Sequence, residues 1–185
     1  MKRFEFTNLS FGVKLIKSHA LGDERGSLTR LFCSEELAAA GWAKPIAQIN
    51  WVENKYRGTV RGLHYQAVPF SETKILLCMT GEIHDVVVDI RLGSKTFLQH
   101  QTIVLSAKQQ QGLLIPPGFA HGYQCLSDDV KLFYLHDQAY APAAEQGLNA
   151  RDPRLAIHWP LPLAHVSPRD QAHLNIDGNF QGEPG

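Results

Sequence analysis

The order of apolar and polar positions along the chain reads mostly as short strands. Phe4-Glu5-Phe6 alternates. Over residues 46–52, Ala47, Ile49 and Trp51 fall on one face and Gln48 and Asn50 on the other, the period of two that a strand requires. Residues 74–79 form a short apolar run, Thr80-Gly81 is a turn signal, and 82–91 reads as a second strand, so 74–91 predicts a hairpin. Further strands are predicted at 96–106, 112–116, 121–125 and 130–136. Only one helix is predicted: Ser34 as N-cap, Glu35 and Glu36 in a first turn where the helix dipole favours anions, Leu37 to Ala40 as its body, and Gly41 at its end. Gly and Pro are spread through the chain, without a linker or repeat, so a single domain over residues 1–185 is expected. Many short strands and scarce helix predict an all-β, closed or double-sheet architecture with a few short peripheral helices. An immunoglobulin-type sandwich is the rival, but Cys33, Trp42 and Cys78 do not sit on suitable strands for its core.

Composition narrows the class. Apolar residues make up 44% of the 185 and charged residues only 19%, which excludes a disordered chain. Lys plus Arg (18) balances Asp plus Glu (18), so a general electrostatic grip on nucleic acid is not expected. The three cysteines, Cys33, Cys78 and Cys125, form no C-x-x-C pair; free thiols in a reducing cytosol are the plain reading. The first residues interleave charge and aromatics without a signal-peptide core, and no apolar run approaches the ~20 residues of a membrane span. A cytoplasmic protein without a membrane partner is expected. Nine histidines are the unusual feature, and they make the charge of a neutral chain depend on pH.

Four clusters carry candidate chemistry. In Arg61-Gly62-Leu63-His64-Tyr65-Gln66 a strand histidine is by default a core or surface residue, but Arg61 and the later Lys74 are cations suited to a polyanion such as a diphosphate. Ile115-Pro116-Pro117-Gly118-Phe119-Ala120-His121-Gly122 is at its plainest a rigid turn. Its P-x-G-x-x-H spacing is a cupin signature, which aims a histidine into a barrel. Tyr134 and Tyr140 are by default core tyrosines; a phenol opposite a base can return a proton to a carbanion. Asp170, in His165-Val166-Ser167-Pro168-Arg169-Asp170, is a surface acid unless it folds back onto a histidine. A metal site is not expected. His64 and His121 lack a carboxylate partner, Lys74 would repel a cation, and His84 and Asp85 are strand neighbours that face opposite ways. No Gly-rich nucleotide fingerprint is present either, because Gly118 and Gly122 lack its spacing.

Taken in order, RGLHYQ, GEIHDVVVDIR-GSKTF, IPPGFAHGYQ, Y-x5-Y-AP-x2-E and DP-x3-I-x-WPL resemble the dTDP-4-dehydrorhamnose 3,5-epimerase family from about Asp23 to Asp170. The resemblance implies a jelly-roll cupin that works as a homodimer without metal or other cofactor. Its substrate would be a nucleotide diphosphate 4-keto-6-deoxyhexose, inverted at C3 and C5. By the same resemblance His64 is the general base, Asp170 the carboxylate that holds its tautomer, and Tyr134 the acid on the opposite face. Arg25, Gln48, Asn50, Arg61, Lys74, His121, Glu145 and Arg169 match substrate-contacting positions, and Tyr140 matches an aromatic lying against the nucleotide or sugar. Arg25, Arg61, Lys74 and Arg169 are thereby expected to gather at one anion, and the seven histidines other than His64 and His121 to be surface or structural.

The chain departs from the family pattern at Ser27-Leu28-Thr29-Arg30, where aromatics and a Glu at the position of Arg30 are common. Glu53 stands where a small polar residue is common, and His84 replaces an aromatic. The Leu28–Arg30 departure supports two alternatives: a C3-only epimerase, or one acting on a CDP- or GDP-linked sugar.

Overall fold

The structure is a computed structural model that describes residues 2–184. The chain runs through β1 (Phe4–Asn8), β2 (Lys14–Ser18), β3 (Leu21–Asp23), β4 (Gly26–Leu28), α1 (Ser34–Ala38), β5 (Gln48–Asn54), β6 (Val60–Gln66), β7 (Lys74–Thr80), β8 (Glu82–Asp89), β9 (His100–Ser106), β10 (Gln111–Ile115), β11 (Phe119–Cys125), β12 (Val130–His136), β13 (Glu145–Gly147) and α2 (Pro168–Gln171). One sheet has the order β1-β2-β10-β7-β12-β5 and the other β13-β6-β11-β8-β9; β3 and β4 form a separate two-stranded arm. From β5 to β13 every step but β8 to β9 crosses from one sheet to the other, giving the jelly-roll expected from the resemblance.

This alternation corrects the predicted 74–91 hairpin. Lys74–Thr80 and Glu82–Asp89 are both strands, but β7 pairs with β10 and β12, whereas β8 pairs with β9 and β11. Gly81 is a corner between sheets rather than a hairpin tip. Its φ is +78°, and a Cβ there would lie 2.5 Å from Ser127 Oγ. Periodicity could not separate the two readings, because both sheets are covered on both faces. Leu76, Cys78, Ile83, Val87, Leu113 and Tyr123 meet between the sheets. Ile75 and Leu77 face outward under Leu37 and Trp42, and Val86 and Val88 pack under Leu148, Leu155 and Ile176. Strands buried on two sides lose the polar half of their alternation.

The predicted helix also needs correction. It starts at Ser34 with Cys33 at the cap position and no side-chain cap bond, so Ser34 is not the N-cap. It ends at Ala38, before Ala40, and Gly41 at φ +107° completes the turn. Glu36 instead ties the helix to β1, accepting from the Arg3 and Phe4 N–H groups at 2.7 and 3.2 Å. Strand β9 starts at His100 rather than 96, because Ser94 and Thr96 bond the Asp89 carboxylate in the preceding turn. Cys33 is half-buried and Cys78 and Cys125 are buried; all three are free thiols.

One irregularity positions the site. In the β6–β11 ladder His64 pairs with His121 and Arg61 with Tyr123, so two residues of β6 oppose one of β11. A three-residue spacing puts side chains on opposite faces of a regular strand. The bulge resets that parity, and Arg61 and His64 both reach the space between the sheets. Glycine is required there: Gly62 has φ +109°, and a Cβ on it would lie 2.6 Å from both Gly122 Cα and His121 O, which are backbone atoms that cannot step aside. Gly62→Ala is therefore expected to cost at least about 2–3 kcal/mol of stability. Gly93→Ala, also at positive φ but with nothing within 4 Å, should cost only about 1 kcal/mol. Urea unfolding of the two variants side by side checks the difference.

Candidate active site

A cleft of about 680 Å³ opens between the sheets at one end of the sandwich. Every predicted site residue except Arg25 lines it: His64, Tyr134, Asp170, Gln48, Asn50, Arg61, Lys74, His121, Tyr140, Glu145 and Arg169. The side chains come from both walls. Gln48 and Asn50 on β5, Lys74 on β7 and Tyr134 on β12 belong to one sheet; Arg61 and His64 on β6 and His121 on β11 belong to the other. The alternation read at 46–52 holds, with its polar half turned inward. Gln48 and Asn50 face the cleft, while Ile49 and Trp51 are about half exposed on the outer face of an edge strand.

His64 Nε2 lies 2.7 Å from Asp170 Oδ1. Asp170 is buried, on the four-residue α2, whose start is held by the Ser167 hydroxyl accepting the Asp170 N–H. Its second oxygen accepts the Gly62 N–H at 3.2 Å, so the bulge and the dyad are one structure. Burial pushes the Asp170 carboxyl up, but the His64 ring and the Gly62 N–H outweigh it and leave it at about 2. Asp170 is thus an anion at any working pH. It accepts the Nε2 proton of His64 and leaves the ring's lone pair on Nδ1.

Across the cleft, Tyr134 lies parallel to the His136 ring at 5.7 Å and edge-on to His121 at 6.1 Å. Burial, with Tyr123 and Asp85 near, holds its phenol well above the usual 10, so it stays protonated. His121 has its own carboxylate: Nε2 is 2.8 Å from Asp85 Oδ2, and both side chains are buried. A third pair was missed in the sequence. Glu72, in the β6–β7 loop, lies 2.9 Å from His136 Nδ1 and 3.1 Å from Lys74 Nζ, and accepts from Gln66 Nε2 at 3.3 Å. Burial raises the Glu72 carboxyl, but Lys74 and His136 more than reverse this and bring it to about 2.

These pairs correct the expected gathering of four cations. Lys74 is buried and already matched by Glu72. Arg169 sits 2.6 Å from Glu145 Oε2 and 3.2 Å from His64 Nε2; Tyr140 donates its hydroxyl to the same Glu145. Arg61 donates to Asn54 Oδ1 at 2.8 Å, and Asn54 also accepts from Tyr123. Arg25 is elsewhere: its side chain is 85% exposed on the β3–β4 arm and pairs with Asp23 at 2.6 Å. Arg30 is outside the cleft too, occupied by Glu36 at 2.8 Å. Glu53 is on the outer face with Trp51, and His84 packs edge-on against Trp159.

Two histidines expected to be structural are not remote. His136 lines the cleft, and His173 lies edge-on to His64 at 6.2 Å. The expectation that His64 and His121 lack a carboxylate is corrected as well, since Asp170 comes to His64 and Asp85 to His121. The signal for Asp85 was available: the alternation of Ile83, Asp85 and Val87 aims it inward. Nothing local in the sequence announced Glu72 or His173.

Comparisons with known proteins agree with the geometry. The sequence profile described as dTDP-4-dehydrorhamnose 3,5-epimerase matches residues 8–177. The dTDP-4-dehydrorhamnose 3,5-epimerase of Shigella flexneri is 34% identical over 162 residues, 85% of this chain and 87% of that one. The dTDP-4-dehydro-6-deoxyglucose 3-epimerase of Streptomyces bikiniensis is 37% identical over 139 residues, 75% of this chain and 70% of that one. The crystal structure of the Legionella pneumophila dTDP-6-deoxy-D-glucose-3,5-epimerase in complex with dTDP-4-keto-L-rhamnose superposes with a TM-score of 0.90 at 34% identity, covering 97% of this chain and 98% of that one. A β-sandwich cleft walled by histidine–carboxylate pairs and a facing tyrosine, with a profile that spans nearly the whole chain, makes this protein a member of the dTDP-4-dehydrorhamnose 3,5-epimerase family.

Proposed function

We propose that the chain inverts C3 and C5 of dTDP-4-dehydro-6-deoxyglucose, giving dTDP-4-dehydrorhamnose, by proton transfer through an enolate. The observation that carries the reading is the placement of His64, with its buried Asp170, on one sheet and Tyr134 on the facing sheet. Inversion at a carbon next to a ketone needs a base on one face of the sugar and an acid on the other. His64 takes the proton from C3. Charge moves to O4, where Lys74 and the His121–Asp85 pair supply cationic or donor groups. Tyr134 returns a proton from the opposite face. A turn or shift of the sugar presents C5 to the same pair, and solvent restores the proton inventory. Each step moves only protons, so the chemistry calls for no redox cofactor.

The nucleotide diphosphate is assigned to the open end of the cleft, at Arg61, Arg169 and Tyr140. Arg30, paired with Glu36, gives no specific support to a CDP- or GDP-linked substrate. Two further features support a homodimer. The β3–β4 arm is exposed at every residue, including Leu21 and Leu28, and the outer face of edge strand β5 exposes Ile49 and Trp51. A second copy is the natural cover for such surfaces, and it would offer the exposed Arg25 a cleft to reach. A cytoplasmic setting fits the three free thiols, and no helix among the described residues is long and apolar enough to cross a membrane.

In deuterated water with dTDP-4-dehydro-6-deoxyglucose, NMR should show deuterium entering at both C3 and C5. Label confined to C3 would select the 3-epimerase reading, and label at neither would remove the proposal. His64→Asn should lower turnover about 10²–10⁴-fold. Tyr134→Phe should abolish inversion while leaving some exchange at C3, because the base is intact.

Acid stability should follow Glu72. Its pKa falls from 4.5 to about 2 on folding, so its stabilisation is complete above pH ~4.5 and is lost as pH falls towards 2. Glu72→Gln should flatten the stability–pH curve over that window, by up to about 3 kcal/mol in urea titrations. Light scattering should give twice the monomer mass for the wild type, and Trp51→Glu should lower it towards one chain.

A further inference from the structure

Strand β13 pairs with β6 so that Gly147 stands directly opposite His64. With no side chain at 147, the sheet has a slot beside the base. The His173 ring, from the segment after α2, fills that slot, and even a methyl group on Gly147 would overlap it. One ligating atom each from His64, Asp170 and His173 lie within 4.8 Å of one another. His173 Nε2 is shielded from solvent and has no hydrogen-bond partner. A buried polar atom left unpaired in a folded protein marks a place where a water or an ion belongs. Two imidazoles and one carboxylate on a half-buried wall are a donor set for a divalent transition metal.

We propose that His64, Asp170 and His173 form an inhibitory site for a divalent transition-metal ion of the zinc class. A metal on either nitrogen of His64 leaves the other nitrogen carrying the ring proton, so no lone pair remains to accept one from a substrate. The inhibition rests on the reading of His64 as base; the binding does not. Arg169 opposes the ion, since its guanidinium lies 3.2 Å from His64 Nε2. It also lies 3.6 Å from Asp170 Oδ1, but its side chain is 54% exposed and can turn out into solvent. The opposition makes the site reversible and not a tight structural one.

The test is a titration of metal-free protein, without sugar, with Co²⁺ followed by visible absorption and with Zn²⁺ followed by calorimetry. The wild type should bind one ion per chain and show ligand-field bands. His173→Ala should lose the bands and bind about tenfold more weakly or worse. His173→Gln, which keeps most of the side-chain bulk, guards against a change of fold, and Gly147→Ala should weaken binding by expelling the ring. His173→Ala should also retain epimerisation at zinc concentrations that halt the wild type. Binding by His173→Ala and His173→Gln as tight as that of the wild type, or a wild type without a stoichiometric site, overturns the proposal. Failure of the epimerase assay alone would leave the titration result standing.

Discussion

The close approach of β6 and β11 at Gly62 and Gly122 decides which side chains reach the cleft. Two backbones can come this near only where neither carries a Cβ. The extra residue that β6 spends there turns both Arg61 and His64 inward. The same Gly62 N–H holds the second oxygen of Asp170, so the carboxylate is aimed by backbone rather than by a flexible partner. Tautomer, orientation and the charge of the dyad therefore descend from one steric constraint.

Electrostatics in the cleft follow a second rule, that buried charges come in pairs. His64 with Asp170, His121 with Asp85, and His136 and Lys74 with Glu72 are each an imidazole or ammonium matched to a low-pKa or buried carboxylate. The inner cleft thereby holds its carboxylates by imidazole rings and one ammonium before a ligand enters. It presents fixed donors and lone pairs rather than loose charge, which suits a site that must stabilise an enolate only as it forms. The arginines, Arg61 and Arg169, stay at the more exposed rim, where a diphosphate would meet them.

The alternation at 46–52 marked a strand that runs two residues later, from Gln48 to Asn54, with its polar half inward. Residues 130–136 match their strand although it is apolar on both faces, with Val130 and Leu132 inward and Phe133 and Leu135 outward. The 74–91 stretch read as strands joined wrongly, since double burial erases the facing information and a Gly corner resembles a hairpin turn. Residues singled out by motifs share one cleft: His64, His121, Tyr134 and Asp170 all line it. Residues whose role comes from tertiary neighbours were not singled out. Glu72 gains meaning only beside Lys74 and His136, and His173 only in the slot left by Gly147. Arg25 shows the converse: a motif match whose side chain a single copy leaves in solvent.

A two-sheet sandwich suits this chemistry for a reason that precedes any particular residue. Inversion needs a proton removed from one side of a ring and another delivered from the opposite side. Two rigid sheets about 10 Å apart can hold two opposed side chains at about the separation a sugar ring requires. Placing both groups on one sheet would favour return of the proton to the face it left, and epimerisation would stall. The jelly-roll also routes β6 and β12 into different sheets while β11 and β7 bring His121 and Lys74 alongside. The crossing that defeats a hairpin reading of 74–91 is the same topology that sets His64 and Tyr134 face to face. In this fold the feature hardest to read locally is the one on which the stereochemistry depends.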